Sequence, residues 1–496
     1  MPGAAERVDD GCEEANTASP LAPSGAGAEL AWASLERQAK MLATREISSR
    51  ELVELALARI DAAQPTLNPF RVVCAEQALE AAAGADRGLT AGEGAPLLGV
   101  PVAIKDDVDL AGHSTPFGCA GEHPPAERDA EVVRRLTQAG AIVIGKTNAP
   151  EVGQWHFTET PAYGVTRNPW SGGHTPGGSS GGAAAAVAAG LVAGAVGSDG
   201  AGSIRIPAAW TGLVGLKPQR GRVSTWPDAE AFNGLSCYGP LARSARDAAL
   251  LLDALHGNVP GDLHKVRPPD QPFADAASAE PRRLRIALSF ATPFGVPDNI
   301  DAEHRAATEE VAARLAGLGH EVEEADPDYG LVGAALIPRG MAGVNQWLND
   351  HVDDRSALEP RTRTHANVGR LLSGVPLRLA RAAEAPLRRR IGRIFHRVDL
   401  VLTPVTAKPP LEIGRLDGRG YWATSARASA ACPFAWPWNV VGWPAISVPA
   451  GFNAAGLPIG AQLVGPEGDE ATLLALAAQL DAARDEAPPR PPTGLG

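Results

Sequence analysis

A chain of 496 residues with 44% hydrophobic and 21% charged positions has the composition of a globular protein able to bury a substantial core. Its formal charge of −12 disfavours nucleic acid as a partner, and the densest basic run, Arg381 with Arg388, Arg389 and Arg390, is expected as a solvated helix face. Five cysteines (Cys12, Cys74, Cys119, Cys237 and Cys432), odd in number and never in a C-x-x-C pair, indicate neither a disulfide framework nor a zinc site and fit a reducing cytoplasm.

The acidic residues 1–29 lack the basic and apolar stretches of a signal peptide and are expected as a disordered tail. Residues 30–64 carry apolar side chains at helical spacing. Ser48 or Ser49 caps the second of two expected helices there, with Glu51 and Glu54 in the turn that follows. Another helix is expected over 75–86, after which "PLLGVPVAIKDDVDL" turns to a strand ending at Lys105. Helix 129–139, strand 141–144, helix 181–190 and strand 191–197 follow.

The most apolar run, "AAAAVAAGLVAGAVG" at 183–197, falls short of the ~20 residues a membrane span needs and is read as a buried helix leading into a buried strand. Residues 260–282, rich in Pro, Asp and Ala, form a connector. Then come strand "LRIALSF", helix 301–317, strand "HEVEEAD", a mostly helical stretch at about 330–396, and strand character in "VDLVLTPVTAKPP" and "PAISVPAGFNAAGLPIGAQLVG". Such alternation implies an α/β fold with a mixed, mostly parallel sheet covered by helices on both faces. One domain is expected over 30–485, with 486–496 as a C-terminal tail. The aromatic share of 5% is low while Ala and Gly are abundant, so close backbone packing is expected.

The stretch "GAIVIGKT" at 140–147 matches the phosphate-loop expression G-x-x-x-x-G-K-[ST] letter for letter. A phosphate loop needs a flexible turn that curls its N–H groups around an anion. Here Ala141, Ile142, Val143 and Ile144 are strand formers, and Pro150 breaks up any helix immediately after. The stretch is therefore expected as a strand.

A second glycine-rich stretch, "HTPGGSSGGAAAAVAAG", is followed by "GSDGAGSIRIPAAW". Ser203 sits between Gly202 and "IRIP", where Pro207 at the first helical position would open the next helix. The loop Gly200–Gly202 can turn several N–H groups toward one point. A hydroxyl nucleophile beside N–H donors is what acyl transfer requires. None of the eleven histidines lies in a context that suggests a triad base, whereas Lys105 ends a strand in "GVPVAIKDDVD".

Together these segments resemble the amidase signature family of serine hydrolases. The resemblance runs from about residue 35 to 480 and rests on "PVAIKD", "GKTNAPE" at 145–151, "TRNPW" at 166–170, "TPGGSSGG" at 175–182, "SDGAGSIRIPAAW" at 198–210 and "GLPIGAQLVG". It implies the amidase-signature fold and a Ser-Ser-Lys triad: Ser203 as nucleophile, Ser179 as a bridging serine held by a cis peptide, and Lys105 as the ultimate base. It also implies an oxyanion hole of the N–H groups of Gly200, Ala201, Gly202 and Ser203, with Ser180, Asp199 and Arg205 in support. Lys105 would have to be neutral, which burial favours. Asp106 and Asp107 are therefore expected to face away or pair elsewhere.

Many family members read D-T-G-G-S where this chain reads Asp199-Gly200-Ala201-Gly202-Ser203. Gly200 is expected to take over any flexible role lost at Ala201. The variant is similar to that of members acting on aminohexanoate oligomers. What the resemblance implies is hydrolysis of a small-molecule amide, with esters or carbamates as further substrates; the aromatics concentrated in "CPFAWPWNVVGW" make an apolar aryl or alkyl amide the expected one. The protein would act in the cytoplasm as a monomer or homodimer, with no cofactor, metal, nucleic acid or membrane. Trp347, Trp422, Phe434 and Trp438 are the lining candidates, and the 330–396 stretch is a candidate cover. His174 is expected at the surface or behind the site. The rival reading is the glutaminase subunit of a tRNA-dependent amidotransferase, whose members usually carry Gln where this chain has Ile206.

Overall fold

The structure, a computed structural model, describes residues 26–484 and 489–492. Its strands are β1 (Phe70–Val73), β2 (Pro101–Lys105), β3 (Ile142–Thr147), β4 (Glu159–Thr160), β5 (Gly164–Val165), β6 (Gly194–Asp199), β7 (Val214–Lys217), β8 (Cys237–Ala242), β9 (Arg285–Leu288), β10 (Glu321–Glu324), β11 (Leu400–Pro404), β12 (Ala445–Phe452) and β13 (Pro458–Val464). Eleven form one sheet in the order β1-β3-β2-β6-β8-β7-β12-β13-β11-β9-β10, and β4 pairs with β5.

This is the mixed α/β sheet expected from the alternation. Its parallel ladders lie in two blocks, β3–β2–β6 and β11–β9–β10. Each block contains a helical crossover: Glu131–Gln138 between β2 and β3, and Ala302–Gly317 between β9 and β10. Parallel neighbours need such a crossover. Antiparallel ladders from β6 through β8, β7, β12 and β13 to β11 join the blocks, and a further one sets β1 on β3.

Alternate residues of β2 feed different cores. Val102 and Ile104 enter one apolar cluster and Ala103 another, as the two-residue period of a strand requires. The second cluster is walled by the helix Gly181–Ala188, every residue of which is buried. Its small residues permit close approach: a Cβ on Gly182 would lie 2.5 Å from both the Asn148 nitrogen and the Pro69 oxygen.

The phosphate-loop letters fall on an interior strand, β3. Lys146 is fully buried, with Nζ 2.9 Å from the Ser114 carbonyl, 2.7 Å from Thr115 Oγ1 and 3.2 Å from Asp106 Oδ1. Its charge is held inside the protein.

Local signals explain several boundaries. Ser48 caps the helix Ser49–Leu67, and Glu51 returns the bond to the Ser48 N–H. The helix Arg205–Thr211 starts before Pro207, two residues earlier than expected, because the Asp199 carboxylate accepts the N–H groups of Ile204 and Arg205. A helix at Ala26–Trp32 begins within the stretch expected as a tail; residues 1–25, 485–488 and 493–496 lie outside the described residues. The 260–282 connector holds a short helix, Phe273–Ser278, pinned by buried Phe273 and by Asp253, which accepts the N–H groups of Phe273 and Ala274.

The 330–396 stretch contains the helices Val332–His351, Pro360–Leu372, Val375–Ala382 and Glu384–Ile391. Its basic run is not simply a solvated face: Arg381 pairs with Glu230 and Arg388 with Glu467. No helix of the described residues is long and apolar enough to cross a membrane. Ser48→Ala is expected to lower stability by about 1 kcal/mol in urea unfolding. Glu54→Ala, outside the capping box, should change it by less than about 0.5 kcal/mol.

Candidate active site

Lys105 is the last residue of β2 and has no exposed surface. Its Nζ lies 2.7 Å from Ser179 Oγ, 2.7 Å from Ser198 Oγ and 3.4 Å from Asp107 Oδ2. The Phe117 ring lies beside the amine, its centroid 5.2 Å away. Burial pulls the Lys105 pKa below the ordinary lysine value, against the opposing pull of Asp107, Asp199 and Asp106.

Asp106 pairs elsewhere, as expected, with Arg71 Nε at 2.7 Å and Lys146 Nζ at 3.2 Å. Asp107 does not face away. It turns toward Lys105 because the Ser198 hydroxyl donates to its Oδ2, and its side chain keeps 9% exposure. Ser198 is a residue that the motif reading left without a role. The signal was a hydroxyl following the small apolar run Gly194–Gly197 of β6, directly before Asp199.

Ser179 is buried, and the Gly178–Ser179 peptide bond is cis. The loop that presents it is pressed against the helix Arg205–Thr211. Gly177 has φ 96°, and a Cβ there would lie 2.7 Å from Pro207 Cα. Ser180 ties three segments together: its N–H donates to the Ser203 carbonyl at 3.1 Å, and its hydroxyl to the Ser198 carbonyl at 3.1 Å. Lys105 and Ser179 are thus in direct contact, and Ser203 is joined to them through the backbone of Ser180. Lys105 and Ser179 are interior, Ser203 is half-buried and Ala201 is exposed.

The Ser203 loop is shaped by Asp199. This buried carboxylate accepts Gly202 N–H at 2.7 Å, Ile204 N–H at 3.2 Å and Arg205 Nε at 2.9 Å. Burial alone would raise its pKa, but the charge and hydrogen bonds of Arg205 hold it well below the usual carboxylate range. Arg205 has every N–H of its guanidinium in use: Nε and Nη2 on Asp199, Nη2 also on Asn439 Oδ1 (2.7 Å), and Nη1 on the Ala435 carbonyl (2.8 Å) and Gln462 Oε1 (2.6 Å). Asn439 and Gln462 are further positions without a role in the motif reading, although Gln462 stands in "GLPIGAQLVG".

Two expectations for this loop need correction. The Gly202 N–H is taken by Asp199, so it is not free for an oxyanion, whereas those of Gly200, Ala201 and Ser203 meet no acceptor among the described residues. The left-handed backbone lies at Gly202, φ 122°, and not at Gly200 or Ala201, which is why alanine is accommodated at 201.

Of the lining candidates, only Trp347 reaches the site. It is half-buried and stands edge-on to Phe117 at 5.5 Å, and Phe232 meets the same ring at 6.3 Å. Phe434 and Trp438 have no exposed surface and serve the core; Trp438 packs edge-on against Tyr329, and the Phe434 carbonyl accepts from Gln462. Trp422 is 67% exposed and stacks edge-on against Tyr421. His174 is half-buried and meets Ser171 Oγ at 2.9 Å in a turn. Among the described residues no group of three His, Cys, Asp or Glu could hold a metal ion.

This fold and these motifs define a hydrolase of carbon–nitrogen bonds other than peptide bonds: the chain belongs to the amidase family, whose model matches residues 51–474. It is 53% identical over 443 residues to AmiA2 of Mycobacterium tuberculosis, covering 89% of this chain and 91% of that one. A solved 6-aminohexanoate cyclic dimer hydrolase, complexed with substrate, superposes with a TM-score of 0.85 at 32% identity, covering 94% of this chain and 100% of that one. A bacterial aryl acylamidase of the amidase signature family gives 0.81 at 27% identity, covering 91% and 96%.

Behind the cis peptide, His156 is wedged between Phe157 and Trp210, and neither ring nitrogen has a partner among the described residues. Burial pushes its pKa down to about 4. The folded state therefore holds the neutral ring, so the stabilisation is complete above the unfolded value of about 6.5 and is lost as pH falls toward 4. Stability should decline by up to roughly 1.4 kcal/mol per pH unit in that window from this residue. His156→Phe should flatten that slope in unfolding curves recorded from pH 7 to 4.

Proposed function

We propose that Ser203 is the nucleophile of an acyl-enzyme mechanism, with Ser179 as its proton relay and Lys105 as the base. The observation that carries this reading is the 2.7 Å contact of buried Lys105 Nζ with Ser179 Oγ, beside the backbone link of Ser180 to Ser203. Neutral Lys105 takes the Ser179 hydroxyl proton as Ser179 takes that of Ser203. Ser203 Oγ then bonds to the amide carbonyl carbon, and the oxygen gains the negative charge. The N–H groups of Gly200, Ala201 and Ser203 stabilise it. Collapse breaks the C–N bond, the leaving nitrogen takes the proton back through Ser179, and water hydrolyses the acyl-enzyme by the same steps.

Phe117, Phe232 and Trp347 support an apolar acyl or aryl group beside the base. Trp347 belongs to the helix Val332–His351, which in this reading closes over the bound substrate. The solved relatives act on an aminohexanoate cyclic dimer or an aryl acylamide by name, in keeping with this preference. Esters and carbamates share the carbonyl geometry and are further substrates.

A fluorophosphonate probe should label Ser203, and Ser203→Ala should abolish both labelling and hydrolysis; a label mapped to another residue would remove the assigned nucleophile. Lys105→Ala should lower turnover by roughly 10²–10⁴-fold with the circular dichroism spectrum unchanged. Anilides should exceed glutamine as substrates; preferential glutamine turnover would favour the amidotransferase-subunit reading.

A further inference from the structure

Three carboxylates surround Lys105, and two have cations of their own. Asp106 holds Arg71 and Lys146, and Asp199 holds Arg205. Asp107 has only Lys105 among the described residues, and the mechanism above gives it no part.

The hydrogen bonds around it run in one direction. An ionised carboxylate can only accept, so the bond between Ser198 Oγ and Asp107 Oδ2 uses the serine proton. Ser198 is then left to meet Lys105 as an acceptor, at 2.7 Å. A neutral amine has two N–H groups and one lone pair. One N–H goes to Ser198 Oγ, and the other faces Asp107 Oδ2 at 3.4 Å. With both N–H groups so used, the lone pair remains for Ser179 Oγ, 2.7 Å away.

We propose that Asp107, directly and through Ser198, aims the lone pair of Lys105 at the Ser179 hydroxyl, and so is a positioning residue for the base. This rests on Lys105 being that base. Without Asp107, Ser198 could turn its own proton toward the amine, and the lone pair would be spent on Ser198 instead of Ser179.

The same carboxylate has an electrostatic consequence. Its charge, with those of Asp199 on β6 and Asp106 beside it, favours protonated Lys105 and opposes burial. From β8, the Tyr238 hydroxyl donates to the Asp107 carbonyl at 3.3 Å; burial, with the charges of Asp107, Asp228 and Asp109, holds that phenol neutral. Phe117 covers another side of the amine. Replacing Asp107 by a neutral isostere therefore frees the base at lower pH, while its amide oxygen still accepts the Ser198 proton.

The experiment is the rate of Ser203 labelling by a fluorophosphonate probe, measured against pH for wild type, Asp107→Asn, Asp107→Ala, Ser198→Ala and Lys105→Ala. Asp107→Asn should keep the plateau rate within roughly threefold and move the acid limb down by roughly 1–3 pH units, the usual effect of one nearby opposite charge. Asp107→Ala and Ser198→Ala should lower the plateau roughly tenfold or more, since the amine is no longer aimed. If Lys105→Ala abolishes labelling while Asp107→Asn leaves the acid limb in place, this inference is wrong and the triad stands. If Lys105→Ala labels like wild type, the triad itself fails. Should Asp107→Ala not fold, the acid limb of the isosteric Asp107→Asn decides alone.

Discussion

A lysine side chain with no exposed surface is the constraint on which the site depends. Water would stabilise the ammonium, so removing water favours the amine, and only the amine can take a proton. The surrounding structure maintains that burial. Lys105 sits at the end of an interior strand, under the aromatic ring of Phe117 and against a loop whose glycines lie in backbone contact with their neighbours. The nearby carboxylates temper the effect without cancelling it. Two are occupied by arginine or lysine partners, and the third is tied to a hydroxyl.

The loop that carries Ser203 is determined from far along the chain. Asp199 at the end of β6 gathers the N–H groups of Gly202, Ile204 and Arg205, while Arg205 reaches Ala435, Asn439 and, on β13, Gln462. Breaking a buried pair by removing one partner costs on the order of 3–5 kcal/mol. Such a network leaves the loop few alternative shapes, which suits the oxyanion-binding role proposed for its N–H groups, since such donors act by being in place before the charge develops. The small-residue helix behind it has a related effect: alanines and glycines at 181–188 bring the Ser179 loop close to the sheet, where longer side chains would hold it away.

Much of this was legible in the residues. A continuous apolar run marked β2, the strand formers Ala141 to Ile144 marked β3 and removed the phosphate-loop reading, and helical spacing with Ser48 or Ser49 ahead of Glu51 marked a helix start. Lys105, Ser179 and Ser203 stood out by motif, and two of the three are in direct contact. What escaped depends on tertiary partners. Asp107 carries nothing in its own neighbourhood to say that a serine ninety-one positions away would draw it inward. The Gly202 N–H looked free until Asp199 folded back on it. Phe434 and Trp438 suggested a pocket wall, yet both are enclosed by core, because aromatic enrichment marks large buried surfaces of either kind.

The central claim concerns the protonation of one nitrogen, and it is measured most directly by NMR titration of protein labelled with ¹⁵N at lysine Nζ. The Lys105 signal is identified by its loss in Lys105→Arg. The account predicts conversion from ammonium to amine below the ordinary lysine value of about 10.4. A Lys105 ammonium signal that persists unchanged through that pH would contradict it.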